Sequence, residues 1–99
     1  MYELVSIKSD DNKKNKMVAT FKNKETNRSK TVHFGQLGAD DYTKTKNKEQ
    51  RDRYLERHGR GKEDWNDYTS KGSLSRYILW GDKTTIQGNI KDYKKKFNL

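Results

Sequence analysis

Eleven aromatic side chains, three Phe, six Tyr and two Trp, are the main material this chain has for a core. Apolar residues make up 28% of it and charged residues 37%, a balance that alone leans toward disorder. Each buried ring removes roughly 150–250 Å² from water, so eleven of them can close a small core. At 99 residues the chain is expected to form one domain with a radius of gyration of roughly 13 Å, which excludes a multidomain enzyme. Small cores rarely yield more than about 3–5 kcal/mol, and with no cysteine or metal set to help, a partner is expected to add stability.

Periodicity divides that domain in two. Leu4, Val5 and Ile7, a polar cluster from Ser9 to Asn15, and alternating Met17, Ala19 and Phe21 read as a hairpin. After a second polar turn at Glu25 to Ser29, Thr31 to Phe34 add a third strand that stops at Gly35. Residues 1–35 are thus an antiparallel meander, with Phe21, Val32 and Phe34 on one face, and residues 36–99 a loop and helical part. Gln36 to Lys46 has no period and reads as a structured loop. Asn47 caps a helix from Lys48 to His58, where Arg51, Tyr54, Leu55 and His58 share a face and Gly59 is the stop. Ser73 to Trp80 makes a short central helix closed by Gly81. Thr85 caps the last helix, whose Ile86, Ile90, Tyr93 and Phe97 form a narrow stripe. The expected fold is α+β, a three-stranded antiparallel meander with about three helices packed on it. Its core is expected to be Phe21, Val32, Phe34, Leu55, Leu74, Tyr77, Ile78, Trp80, Ile86, Ile90, Tyr93 and Phe97.

A formal net charge of +9 favours polyanionic partners. The excess is spread along the chain: residues 1–38 carry 8 basic and 4 acidic side chains, residues 39–99 carry 15 and 10. Absence of cysteine excludes disulfides, Fe–S ligation and Cys-based zinc sites. The longest apolar run, Tyr77 to Trp80, is far short of the ~20 residues that span a bilayer, and no signal peptide is expected.

Little here points to catalysis. His33 and His58 lack ligand spacing, so no metal is expected. His58, Glu63, Asp64 and Asp67 have the residue types of a hydrolytic site, but so charged a chain produces such groups by chance, and His58 packed on Tyr54 is the simpler use of it. No catalytic residue, cofactor or small-molecule substrate is expected. Gly59-Arg60-Gly61-Lys62 after a helix end can form an anion-binding nest or a basic tip, though not a nucleotide-binding P-loop, because Glu63 follows Lys62. Arg57 has Arg53 rather than a carboxylate at i−4, so it is the preferred polyanion contact. Lys91, Lys94, Lys95 and Lys96 decorate the last helix, where they suit both phosphates and the helix dipole. Arg51, Arg76 and the Asp40/Asp41 pair fall near apolar faces and are expected to form buried Arg to carboxylate bridges. The expected phosphate contacts are Arg57, Arg60, Lys62, Lys94 and Lys95. No helix presents a set of base-reading side chains, so binding is expected to be non-specific.

Several short segments occur in a distinctive order: Val32-His33-Phe34-Gly35, Asp41-Tyr42-Thr43, Arg53-Tyr54 with Arg57-His58, Glu63-Asp64-Trp65, Leu74 to Trp80, and Tyr93 to Phe97. Over about residues 30–97 the chain resembles a family of small uncharacterised basic proteins of large double-stranded DNA viruses of algae and protists. Thr84 stands where members of that family usually carry a proline. The resemblance implies no activity. It implies a virion location, with the host cell interior during infection, and a role in handling the genome or in the particle. Two functions follow as expectations: a non-enzymatic protein binding nucleic acid through phosphates, or a minor capsid component bridging other virion proteins.

Overall fold

The alternation of Met17, Ala19 and Phe21 sets the inner face of an antiparallel sheet, built from β1 (Tyr2–Ser9), β2 (Asn15–Asn23) and β3 (Ser29–Gln36) in the order β1-β2-β3. The computed structural model describes residues 2–10, 14–59 and 65–99. Met17 pairs with Phe34 and Ala19 with Val32, which puts the expected face together. The irregular pattern of β1 has a physical cause. Leu4 faces Phe21 and Ser6 faces Thr20, so Val5 is an extra residue in a bulge, and Leu4 and Ile7 both reach the inner side although three positions apart. Val5 is left 58% exposed. At the β2–β3 turn the Asn23 carboxamide accepts from the Glu25 amide, and Asn27 takes the left-handed conformation.

β3 runs one residue beyond the expected stop. Gly35 lies inside it at φ +76°, and a Cβ there would come 2.6 Å from Leu79 Cδ1. The loop that follows holds one helical turn, α1 (Tyr42–Thr45), too short to show a period; Asp41 caps it by accepting from the Lys44 amide. α2 (Lys48–His58) starts at its expected cap, with Asn47 accepting from the Gln50 amide, and buries Tyr54. The next helix begins two residues before Ser73: Ser70 caps α3 (Lys71–Leu74), which continues as a π-helical turn, Ser75–Leu79. In that wide turn the Trp80 amide donates to the Ser75 carbonyl, and Leu74, Ile78, Leu79 and Trp80 are all buried. α4 (Ile86–Phe97) is capped by Thr85.

The fold is α+β, as expected. α3 and the π turn lie on β3, α4 lies on the π turn, and the Cα radius of gyration is 13.2 Å. The core also takes in Met17, Ala19, Tyr54 and Leu79, while Val32, Leu55, Tyr77, Ile86, Ile90 and Phe97 are half-buried against it. The innermost residue of α4 besides Tyr93 is polar: Asn89 is fully buried.

Candidate nucleic-acid interface

Tyr54 and His58 are one turn apart on α2, so their rings stack, with centroids 4.3 Å apart. The Trp80 ring lies on Tyr54 at 4.3 Å and 7°, so Tyr54 is held between Trp80 and His58. This is the ring-packed His58 expected from the sequence. The column lines a cleft of about 680 Å³ that Arg57, Lys16 and Lys71 also line. Lys16 is committed: its ammonium is 2.5 Å from the buried Asp41 carboxylate and also donates to the Ala39 carbonyl. Asp40, on the same cleft, pairs with Lys44 at 3.7 Å. Arg57 and Lys71 are exposed, and no carboxylate among the described residues lies within ion-pair distance of either.

Lys94 and Lys95 are exposed in the last turn of α4. Lys95 lines a second cavity of about 690 Å³ together with Arg76, Tyr77, Asp82, Asp92 and Lys96. The two carboxylates there are engaged, Asp82 with Arg51 at 2.5 Å and Asp92 with Lys83 at 3.7 Å. Arg57 and Lys95 therefore face different cavities, and no described residue lines both. Arg60 and Lys62, like Glu63 and Asp64, lie outside the described residues. Among the described residues no three His, Asp or Glu side chains cluster as metal ligands do.

Of the expected buried Arg to carboxylate bridges, among the described residues only Arg51 finds a carboxylate, and that one is exposed. Arg51 pairs with Asp82 and also donates from Nε to the Trp80 and Gly81 carbonyls, at 3.1 and 3.0 Å. Asp41 takes a lysine instead, because the extended β2 brings Lys16 to the α1 cap. Among the described residues Arg76 pairs with no carboxylate; its guanidinium lies over the Trp65 and Tyr77 rings at 5.2 and 4.9 Å. Burial and the nearby Arg51 charge hold its pKa below the usual arginine value. Sequence reasoning did not single out Lys71, or place Arg76, as a cation lining either cavity. The signal for Lys71 was Ser70, a cap residue that would have placed it in the first turn of α3.

Among the described residues no helix is long and apolar enough to cross a membrane. No curated protein and no solved structure matches the chain. A family model described as a family of unknown function, DUF5754, matches residues 5–58, from β1 to the end of α2 and so through Arg57. Since that span is more than half of the chain, the protein belongs to the DUF5754 family.

Proposed function

We propose that this protein is a non-enzymatic nucleic-acid-binding module that holds phosphates without reading sequence. The observation that carries the reading is the distribution of ion pairs. Asp41, Asp82, Asp92 and Asp40 are spent on Lys16, Arg51, Lys83 and Lys44, while Arg57, Lys71, Lys94 and Lys95 are exposed and unpaired among the described residues. Such cations release counterions when they meet a phosphate backbone. Arg60 and Lys62 follow Arg57 in the sequence and extend the same basic segment.

Fluorescence anisotropy on several unrelated duplexes, across a salt series, tests this. Replacing Arg57, Arg60 and Lys62 by Gln lowers affinity equally for all sequences, and the log–log salt slope flattens by about 0.9 per lost phosphate contact. Absence of duplex and single-strand binding at low salt, where screening is weakest, overturns the reading.

The second reading is a minor capsid component, in which other virion proteins cover Val5 and Leu37, left 58% and 54% exposed. From the viral resemblance we propose a virion location for the protein, with the host cell interior during infection. Locating it in the shell or the nucleoid of purified particles separates the two.

A further inference from the structure

The cavity beside α4 carries an electrostatic imbalance that no carboxylate among the described residues corrects. Arg76 is half-buried in the π-helical turn, and its one hydrogen bond among the described residues runs from Nη1 to the Trp80 carbonyl at 3.3 Å. Its Nε is buried without a partner. A guanidinium offers five N–H donors in a rigid fork, so most of this one is unused. Lys96 converges on the same place from α4, its ammonium 5.4 Å from the Tyr77 ring centre and 5.7 Å from that of Phe97. Lys95 lines the cavity beside it.

Two cations thus lie over the Tyr77 ring, and a third, Lys95, lines the same cavity. The two carboxylates on the cavity wall, Asp82 and Asp92, are already balanced by Arg51 and Lys83. Aromatic faces stabilise these cations only weakly compared with an oxyanion, which can take paired N–H bonds from Arg and point-charge contacts from Lys. A cavity of about 690 Å³ is in the range that holds a small ligand rather than a bare ion alone.

We propose that this cavity is a phosphate site in which Arg76, Lys95 and Lys96 hold the phosphoryl oxygens of a phosphate ester. The site stands on its own geometry; only the assignment of the ester to a nucleic acid rests on the function proposed above. The phosphate is either a terminal monoester or a backbone diester, and the chemistry of recognition is the same for both.

The first probe is inorganic phosphate, titrated by calorimetry against chloride of matched ionic strength, while NMR follows the Arg76 Nε–H. Saturable binding with a shift of that resonance is expected. Lys95→Gln/Lys96→Gln, both exposed positions, weakens binding at least tenfold, whereas Lys91→Gln does not. Arg76→Lys keeps the charge, loses the fork and also weakens binding. No saturable phosphate binding, or a double variant that binds like the wild type, overturns the site. Short oligonucleotides with and without a 5′-phosphate then separate monoester from diester. Phosphate binding without oligonucleotide binding keeps the site and removes the nucleic-acid reading. Oligonucleotide binding that needs Arg57, with no phosphate binding and no effect of Lys95→Gln/Lys96→Gln, does the reverse.

Discussion

The side chain of Asn89, on the inner face of α4, donates from Nδ2 to the Ile78 carbonyl at 2.8 Å, joining the last helix to the π-helical turn. The same amide nitrogen donates to the Lys83 carbonyl at 3.0 Å, and Oδ1 accepts from the Lys83 amide at 2.8 Å. One buried carboxamide thereby fixes the whole Trp80 to Lys83 connection. That connection carries the carbonyls and carboxylate that hold Arg51, and Arg76 donates to its first carbonyl. Gly81 is required beside it, since a Cβ there would meet the Tyr77 carbonyl at 2.3 Å and Asn89 Oδ1 at 2.6 Å.

Asn89→Ala is expected to cost about 3 kcal/mol, because it leaves backbone groups of Ile78 and Lys83 unpaired at about 1–3 kcal/mol for each that stays buried. Urea unfolding measures it. Asn89→Asp, which keeps the shape but points a carboxylate at two carbonyls, is expected to be at least as damaging at neutral pH. An aspartate variant as stable as the wild type would show that packing, not donation, holds the loop.

Asn89 also marks where the sequence stops being legible. The stripe of Ile86, Ile90, Tyr93 and Phe97 gave the helix and its direction, because burial selects a period. A polar residue inside that arc, however, acquires its partners only from tertiary structure. For the same reason Arg51 as a bridging residue was readable while its partner Asp82 was not. The sheet was legible from alternation except at Val5, where a bulge breaks the period. In the candidate interface, exposed cations could be named from charge and helical position, but their division between two cavities depends on how α2, α3 and α4 pack.

The Lys16–Asp41 pair should behave as a buried ion pair. Their side chains are 16% and 4% exposed, and Asp41 also caps α1. Removing one partner leaves the other charge poorly solvated, so Asp41→Ala is expected to cost about 3–5 kcal/mol. Lys16→Met/Asp41→Leu together should recover part of that loss. A double-mutant cycle in urea gives the coupling, and additive losses would mean the pair does no more than a surface bridge.

Gly35 and Gly38 both have positive φ, +76° and +88°, yet differ in surroundings. A Cβ on Gly38 meets nothing within 4 Å, so Gly38→Ala is expected to cost only the left-handed backbone penalty of about 1–2 kcal/mol. Gly35→Ala adds displacement of the buried Leu79, for which overpacking costs about 1–3 kcal/mol more. Equal thermal shifts for the two variants would contradict this packing of β3 against the π turn.

Stability should fall on the alkaline side through one phenol. Tyr93 is 1% exposed, and its hydroxyl donates to the Tyr68 carbonyl. Burial first, then the nearby Tyr68 and Asp67 charges, pushes its pKa well above the ordinary tyrosine value. The neutral form is therefore favoured by folding. Its contribution is fully present below about pH 10, where the unfolded phenol titrates, and is lost as pH rises toward the folded value. In that window the folded state holds one proton more than the unfolded state and unfolding releases it, a slope of at most about 1.4 kcal/mol per pH unit. Tyr93→Phe should lower stability by about 1 kcal/mol at neutral pH through the lost hydrogen bond, and remove that alkaline slope. Urea midpoints for both proteins from neutral pH to above pH 10 make the comparison, with the lysines and other tyrosines common to both. If the two curves stay parallel throughout, Tyr93 is not the group that links folding to high pH.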